Sequence, residues 1–498
     1  MTFAHPGGGG SVGDGGLADH PAMGPAVVRG GALLLLRHAV AFAVTFAGSA
    51  ILARALGAAI LGVYFAALSY FLVARQLIDF SVPTHVIRSH GPPAHSTLAG
   101  CFWLQQVLGV AVLGVTLLAA WWGLHVSLFP DHAPLLGWLL IAAAAGAYFQ
   151  SWQSIPAARL ERSLAYGKVG AIEMSEAVAF NAAALLLLLA GAGAWSLVIA
   201  LVLRGLVPAA VAYSLLPFRP GARPSFAVPS RLRAELASLT AAQGVVWAVT
   251  LAPVVIIGGL AGPRQLALAQ LGYALLGSVG TLAAIGQRLA LPALARLQSD
   301  HLAFGKLVSR SLSALSLTFI PLVFAVGSLA PVWVPAVYGP EWAPMAWVLF
   351  LGALPVSLTA LLGVFHSAVV ARGLAGLVLK QNVLHLLIFC SVLLMASGRA
   401  GAIALPLAHL AAVPAGVLFL RAYRRTTGRL DARHALLTGA AAAAVAFAAW
   451  RLASAGAALS GVALWVVFAA AAIWFSWRVV QPARLLRWLV RPTVTGSS

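Results

Sequence analysis

The chain has 498 residues, of which 61% are hydrophobic and only 8% are charged, and its formal net charge is +20. Soluble domains carry about 25% charged residues, so this composition excludes a soluble enzyme or binding domain and indicates an all-α polytopic membrane protein. The positive charge alone would also fit a nucleic-acid-binding protein, and the positions of the basic residues decide between the two.

The first 30 residues are rich in glycine. The apolar stretch that follows them is too long for the core of a signal peptide. We therefore expect residues 1–30 to form a disordered cytoplasmic tail.

Fourteen segments of the sequence are long and apolar enough to cross a bilayer, which takes about 20 residues each. Tight links at Gly57, Gly193, Gly373 and Gly398 separate runs that would otherwise form one long helix, so we divide helical hairpins there. The predicted spans lie near 33–55, 58–80, 97–122, 134–155, 170–192, 195–217, 236–260, 265–291, 310–336, 343–368, 374–396, 400–422, 433–454 and 457–479.

The basic residues fall almost entirely on one side of this arrangement. With the N-terminus on the inner side, 25 of the 31 lysines and arginines lie in inner segments, 4 lie at outer ends, and Arg75 and Arg204 lie within spans. A shift by one helix would reverse this distribution, so the positive-inside rule predicts that both termini are cytoplasmic. Topology and attraction to anionic lipid headgroups account for the charge, and no nucleic-acid partner is needed.

Two short segments indicate an internal repeat. ALGAAILGVY at 55–64 and LAGPRQLALA at 260–269 each open a span, and they align Gly57 with Gly262. Their offset of about 205 residues equals the step from span one to span seven, and repeats of this kind are typical of secondary transporters. The predicted organisation is a tail at 1–30, a six-helix bundle at 31–218, a cytoplasmic linker at 219–235, a second six-helix bundle at 236–423, two extra helices at 433–480 and a cytoplasmic tail at 481–498.

Four stretches resemble one family. ILARALGAAILGVYFAALSYFLVARQLIDFSVPTHVIRS at 51–89 is similar to the opening hairpin of the bacterial polysaccharide (O-unit) flippases, which belong to the MATE-like MOP superfamily. Later landmarks of that family resemble IPAARLERSLAYGKVGAIEMSE at 155–176, LALPALARLQSD at 289–300 and VYGPEWAPMAWVLFLGALP at 337–355. The resemblance covers roughly residues 33–420, in register with the predicted topology.

The resemblance implies a MATE-like fold and a flippase in the bacterial inner membrane. Its substrate would be an undecaprenyl-diphosphate-linked oligosaccharide, turned by alternating access from the cytoplasmic to the periplasmic leaflet for exopolysaccharide, capsule or O-antigen synthesis. Implied partners are the lipid-linked oligosaccharide and membrane lipids, with a polysaccharide polymerase or export machinery as a further candidate. The family commonly has polar groups in span seven, whereas this span, with WAVTLAPVVIIGGLAG at 247–262, offers little beyond Gln243 and Thr250, which argues against an ion-coupling site there.

Charges inside spans are the candidates for a substrate cavity, because an ionisable residue facing lipid costs at least about 2.5 kcal/mol at the bilayer centre. Arg204, in LVIALVLRGLVPAAV, is the deepest of them. It is the first candidate for binding the diphosphate or an acidic sugar. The alternative is an interhelical partner that only holds the bundle together.

Span five carries a polar face. Glu173 and Glu176 are three residues apart, and Asn181 continues inward to about the depth of Arg204, which makes it a second substrate-binding candidate. If spans five and six form a hairpin, Glu176 can pair with Arg204, and protonation of Glu176 would then release the arginine as a proton-coupled switch. The alternatives are a structural pair for Glu176 and a headgroup-level carboxylate for Glu173.

Span two holds Arg75 and Asp79 one turn apart on one face near its inner end. One interpretation is an ion pair that fixes the inner boundary of the span, with Arg75 compensating a carboxylate that opposes the helix dipole. The other places Arg75 at the cytoplasmic mouth, where it meets the incoming diphosphate. Asp79 joins Glu173 and Glu176 as a tentative ion-coupling residue.

The remaining polar residues predict no catalytic, metal or cofactor site. The thirteen histidines have no metal-ligand spacing, although His366, His385 and His409 lie in spans and could line a polar path. A membrane polymerase or ligase would need a sizeable loop for its catalytic groups, and the longest outer loop, about 123–133, is short. A multidrug or lipid II exporter on the same fold is the second alternative; the centrally placed charge here is basic, which favours an anionic substrate.

Overall fold

The computed structural model describes residues 23–480 except 90–92, 124–127, 164, 222–227, 298–299, 375 and 428–432. Only the backbone is described within 23–39, most of 282–296, 426–435, 472–480 and at a few single positions. Every long regular element in the described ranges is a helix. Of the predicted disordered tail at 1–30, residues 1–22 lie outside the described residues and residues 23–30 belong to a helix, which the glycine-rich composition did not predict. The predicted tail at 481–498 also lies outside the described residues.

The helices follow the chain in this order. The first half contains α1 (Met23–Asp79), α2 (Val82–Arg88), α3 (His95–Trp121), α4 (Ala133–Ser151), α5 (Ser154–Arg162), α6 (Tyr166–Leu189), α7 (Trp195–Leu215) and α8 (Ser230–Ala242). The second half contains α9 (Gly244–Pro253), α10 (Gly259–Arg296), α11 (His301–Ser328), α12 (Ala330–Tyr338), α13 (Met345–Ala371), α14 (Gly376–Ala400), α15 (Ala404–Ala412), α16 (Val417–Thr427), α17 (Arg433–Ser454) and α18 (Ala458–Val480).

Ten helical stretches in the described part of the chain are long and apolar enough to cross a membrane. Three of them, Val40–Asp79, Ser230–Thr281 and Gly376–Arg425, have 40, 52 and 50 residues, about twice the length of one crossing. A glycine with positive φ interrupts each of these three, and α18 adds a shorter apolar helix. The prediction of an all-α polytopic membrane protein is confirmed.

Most of the glycine links lie where the sequence places them. Gly57, Gly193 and Gly373 have positive φ, a conformation that glycine adopts without a steric penalty. The predicted link at Gly398 is wrong, because α14 continues through that residue and the positive φ occurs at Gly401. An isolated glycine in an apolar run does not by itself reveal whether the backbone turns there.

Gly57 and Gly262 have nearly the same backbone conformation. Gly57 has φ 76° and ψ 169°, and Gly262 has φ 85° and ψ 172°. This region of φ/ψ space is essentially restricted to glycine. The two residues that the repeat aligns therefore make the same turn between consecutive spans, which supports the repeat. The division into two six-helix bundles stays a prediction.

The turns at Gly57 and Gly262 meet on the side predicted to face outward. A Cβ on Gly62 would overlap the carbonyl oxygen of Pro263, so the two helices touch backbone to backbone. Glu341 joins the same turns, because its Oε1 accepts from the Ala58 amide (3.3 Å) and lies 3.9 Å from Arg264 Nε. We call these contacts the outer seal.

Helix α12 extends the outer seal against the first half of α1. Arg54 donates from Nε to the carbonyl of Val337 (2.8 Å) and from its guanidinium to that of Ala336. Ser49 Oγ and the Tyr338 hydroxyl share a hydrogen bond of 3.0 Å. Helices α1, α10 and α12 are therefore in direct contact at the end that is predicted to face outward.

Close packing of α4 and α7 positions the middle of α7. A Cβ on Gly205 would overlap the carbonyl oxygen of Gly146, and one on Gly146 would overlap that of Leu201. Small residues let membrane helices approach in this way, where van der Waals packing replaces the hydrophobic effect. The contact fixes the depth and rotation of α7 at the residue next to Arg204.

Gly205→Ala is expected to lower the thermal unfolding temperature of the purified protein. The added Cβ meets backbone, which cannot rotate away, and overpacking of a tight core costs about 1–3 kcal/mol. The control is Gly114→Ala on α3, where a Cβ meets nothing within 4 Å, and its unfolding temperature should be no lower than that of the wild type, because alanine is the better helix former. Equal unfolding temperatures for the two variants would contradict a close α4–α7 contact.

Candidate functional site

A cavity of about 570 Å³ lies between the helices of the two halves. Helices α1, α6 and α7 form one wall, and α10 contributes Leu271, Leu275 and Ser278 to the other. Its polar lining residues are Thr45, Ser49, Tyr64, Glu173, Glu176, Asn181, Arg204 and Ser278. We call this the central cavity.

Arg204 and Glu176 form an ion pair in the wall of the central cavity. Arg204 Nε donates to Glu176 Oε1 at 2.9 Å, and a terminal guanidinium nitrogen lies 2.8 Å from the same oxygen. The side chains are only 22% and 16% exposed, so water screens the pair weakly. Helices α6 and α7 form the hairpin that the sequence required for this contact.

Aromatic rings hold the Arg204 guanidinium from the other side. Its central carbon lies 5.2 Å from the centroid of Phe71 and 5.7 Å from that of Phe180, both within the range of a cation–π interaction. Tyr64 stacks on Phe180 at 5.5 Å between centroids, and its hydroxyl lies beside Arg204. The arginine is thus fixed in position by one carboxylate and three aromatic side chains.

Glu176 has further polar partners at its second oxygen. Gln150 Nε2 on α4 donates to Oε2 at 2.7 Å, and a guanidinium nitrogen of Arg75 lies 3.8 Å from the same atom. Arg75 Nε in turn lies 3.7 Å from Asp79 Oδ2, one turn along α1. The charges therefore run in a chain from Asp79 through Arg75 and Glu176 to Arg204, which we call the charge chain.

The charge chain contains four of the six residues singled out from the sequence. Both predicted ion pairs are present, Glu176 with Arg204 and Arg75 with Asp79. A contact between Arg75 and Glu176 links the two pairs. The sequence did not place Arg75 next to Glu176, because this contact links spans two and five, and their packing is tertiary. The functional roles of these residues stay predictions.

Asn181 and Glu173 lie at the edges of the central cavity. Asn181 Nδ2 donates to the carbonyl of Ala177 on its own helix at 2.8 Å, and its Oδ1 lies against Gly48 of α1, where a Cβ would overlap it. Its amide therefore contacts its own helix and α1. Glu173 is exposed one turn from Glu176 on the same face and lines the cavity.

Sequence reasoning missed Tyr64, Phe71, Gln150 and Phe180. Three of these are aromatic residues in apolar spans, where nothing distinguishes a ring that contacts a cation from one that packs against lipid. Gln150 carried a signal, because an amide within a predicted span needs a hydrogen-bond partner. Its partner Glu176 lies on another helix.

The charge chain suits reversible anion binding. Its two arginines and two carboxylates balance formally, so both cations are neutralised while the chain is intact. An anionic group with several oxygens can replace a carboxylate at an arginine through charge-assisted hydrogen bonds. Protonation of Glu176 would also release Arg204, because a neutral carboxylic acid no longer attracts the guanidinium.

No group of three or more His, Cys, Asp or Glu residues in the described part of the chain is placed to hold a metal ion. Arg75 and Arg204 are therefore the cations that the described residues bring to the charge chain. The absence of a metal, a cofactor and a catalytic residue stays a prediction.

Comparison with known proteins gives concordant results. Residues 51–347 match the family described as polysaccharide biosynthesis protein. The lipopolysaccharide biosynthesis protein WzxC of Escherichia coli (strain K12) is 26% identical over 373 residues, which cover 72% of this chain and 73% of that protein.

The fold is similar to that of the lipid II flippase MurJ in its inward closed conformation, with a TM-score of 0.72. The match covers 90% of this chain and 99% of that chain, at 13% sequence identity. At this identity the similarity shows the fold alone. The family match extends over more than half of the chain and agrees with the resemblance found in the sequence, so the protein belongs to the polysaccharide biosynthesis protein family.

Proposed function

We propose that the protein is a flippase that moves an undecaprenyl-diphosphate-linked oligosaccharide across the membrane for exopolysaccharide, capsule or O-antigen synthesis. The observation that carries the proposal is the charge chain in the wall of the central cavity, where Arg204 lies deep in a span. A diphosphate and a sugar chain cannot cross hydrocarbon unaided, because each polar group that loses water without gaining a partner costs several kcal/mol.

The diphosphate binds the arginines of the charge chain while the protein is closed on its outer side. Arg75 lies nearer the predicted inner end and meets the diphosphate first, Arg204 holds it deeper, and Asn181 lines the path beside it. Opening of the outer seal and closure of the inner side then expose the substrate to the other leaflet. After the substrate is released, Glu176 pairs with Arg204 again and neutralises it. Glu173 and Asp79 are further proton acceptors.

The function sets the location and partners. The protein lies in the bacterial inner membrane with both termini cytoplasmic, and it takes its substrate from the cytoplasmic leaflet. The similarity to WzxC, a lipopolysaccharide biosynthesis protein, and the family match support polysaccharide synthesis as the pathway. A polysaccharide polymerase or export machinery is the partner that would accept the flipped substrate, and the protein itself is not an enzyme.

A lipid II exporter and an exporter of cationic drugs would need binding residues that differ from one another. A lipid II exporter would use the same cationic chain for a lipid diphosphate, and the fold similarity to MurJ is compatible with it. An exporter of cationic drugs needs acidic residues without cationic partners, whereas Glu176 is paired with Arg204 at 2.8 Å. The anionic lipid substrates are therefore favoured over cations.

Translocation in proteoliposomes tests the proposal. The wild-type protein is expected to move a fluorescent undecaprenyl-diphosphate oligosaccharide between leaflets, faster in the presence of a proton gradient if Glu176 exchanges a proton. Parallel liposomes contain fluorescent lipid II or a fluorescent cationic drug, and protein-free liposomes measure the background. Transport of lipid II without the oligosaccharide substrate would replace the proposal by the exporter alternative, and transport of neither lipid would refute both.

A further inference from the structure

A second polar cavity lies within the helices of the second half. It has a volume of about 300 Å³, at the lower end of the range for small-molecule sites, and helices α9, α13, α14 and α16 contribute to its wall. Its principal polar and aromatic lining residues are Thr359, His366, Gln381, Asn382, His385 and Phe419. Its lining contains no Lys, Arg, Asp or Glu residue.

The polar side chains of this cavity are available to a ligand. Within the described part of the chain, no hydrogen bond involves the side-chain amide of Gln381 or Asn382, or the ring of His385. These three residues are half-buried, and polar side chains within membrane spans normally pair with another helix. An amide that faces a cavity without a protein partner is expected to bind water or a ligand.

The face of α14 that carries Asn382 and His385 matches the face of α6 at the central cavity. EMSEAVAF on α6 and NVLHLLIF on α14 have the same spacing of three and seven residues, from Glu173 through Glu176 to Phe180 and from Asn382 through His385 to Phe389. In both faces the second polar residue lies one turn before the phenylalanine. The carboxylates of α6 are replaced by an amide and an imidazole on α14.

Rings behind the lining residue His385 resemble the rings around Arg204. His385 stacks on Phe389 at 6.0 Å between centroids, and Phe389 lies 4.6 Å from His409. His409 stacks in turn on Tyr273 of α10 at 4.5 Å. The first half therefore surrounds a cation with rings, whereas the second half surrounds neutral hydrogen-bonding groups with rings.

Helix α9 is shared between the second cavity and the segment of α1 that carries Arg75. Val245, Val246 and Val249 of α9 line it, and Trp247 on the same helix donates from Nε1 to Gln76 Oε1 at 2.9 Å. Gln76 immediately follows Arg75 in α1. A ligand held at Arg75 and extending past α9 would reach the amides of α14.

We propose that the second cavity binds the uncharged sugar residues of the lipid-linked oligosaccharide, while the charge chain binds the diphosphate. This proposal rests on the proposed function. Sugars present hydroxyl groups that both donate and accept hydrogen bonds, which neutral amide and imidazole groups match without the penalty of burying an unpaired charge. A site that hydrogen-bonds substrate hydroxyls also discriminates strongly against substrates that lack them, so the second cavity sets the choice of glycan.

The test compares two substrates that share the undecaprenyl diphosphate and differ in their sugars. One carries a single sugar and the other the full oligosaccharide. Asn382→Ala and His385→Ala are expected to reduce oligosaccharide translocation about tenfold or more, because hydroxyl contacts are lost, while the single-sugar substrate keeps its rate within about twofold. Ser391→Ala is the matched control, because Ser391 lies on the same helix, is exposed and bonds only to the carbonyl of Leu387 (2.8 Å).

Three outcomes overturn the proposal at matched amounts of folded protein. The cavity does not bind sugars if neither variant changes either rate, or if both substrates lose rate equally. It is a proton site instead if His385→Gln, which keeps a neutral hydrogen-bonding group, shifts the pH dependence of both substrates together. The proposed function, by contrast, fails only if the wild-type protein moves neither substrate.

Discussion

Arg204→Ala is expected to reduce the rate of lipid-linked oligosaccharide translocation by about ten- to a hundredfold, and Arg204→Lys to retain part of the activity. A hydrogen bond to a charged group contributes about 1.5–3 kcal/mol, which corresponds to that range of rates. Lysine keeps the charge but not the two-pronged geometry that arginine offers to a diphosphate. The measurement is the initial rate in proteoliposomes with equal amounts of folded protein.

A structural role for Arg204 predicts a different pattern. Removal of one partner of a buried ion pair costs up to about 3–5 kcal/mol of stability, although Arg75 and Gln150 remain beside Glu176 and both members of the pair are partly exposed. The double variant Arg204→Ala, Glu176→Ala removes the stranded carboxylate as well. It should recover thermal stability relative to Arg204→Ala.

Translocation separates the two roles. If Arg204 contacts the diphosphate, the double variant stays inactive although its stability recovers. If activity returns together with stability, Arg204 only holds α6 and α7 together, and the binding assignment is wrong. Normal activity in Arg204→Ala itself would lead to the same conclusion.

The all-helical fold was largely predictable because hydrophobic length is a strong signal along a membrane chain. The alignment of Gly57 with Gly262 predicted that two distant turns are equivalent, and they share a backbone conformation that only glycine adopts readily. The end of the eleventh span was less predictable. Gly398 and Gly401 both follow an apolar run, and only Gly401 turns.

The charged residues of the site were predictable from the sequence, whereas the aromatic and amide side chains around them were not. An arginine and a glutamate deep in neighbouring spans must find partners, so their pairing follows from the cost of leaving either one exposed to lipid. Phe71, Phe180 and Gln150 approach the pair from helices α1, α6 and α4. Their rotation about each helix axis depends on packing, for example at Gly146 and Gly205, and a single sequence does not specify it.

The outer seal is the second feature that depends on packing, and Gly62→Ala is expected to disrupt it. The new Cβ would overlap the carbonyl oxygen of Pro263, which belongs to the backbone and cannot move without shifting α10. Overpacking costs about 1–3 kcal/mol. If the closed state bears this cost and the open state does not, the ratio of the two states changes by roughly 5- to 150-fold.

Accessibility of the central cavity from the outer side measures this change. Ser278→Cys places a single thiol in the cavity wall when Cys101 and Cys390 are replaced by alanine. A membrane-impermeant maleimide added outside should label this thiol faster in Gly62→Ala than in its parent. Translocation should become slower, because a protein that remains open outward rarely accepts substrate from the inner leaflet.

Gly259→Ala provides the matched control for the outer seal. Gly259 lies at the same outer end of α10, but a Cβ there is in ordinary contact with Leu128 at 3.8 Å, so the labelling and transport rates of Gly259→Ala should equal those of the parent.

Unchanged labelling in Gly62→Ala together with a lower unfolding temperature would mean that the contact with Pro263 persists in every state. In that case the two turns form a fixed pivot, and the outer side must open elsewhere. Faster labelling would instead show that the opening separates the two glycine turns, whose equivalence the repeat predicts.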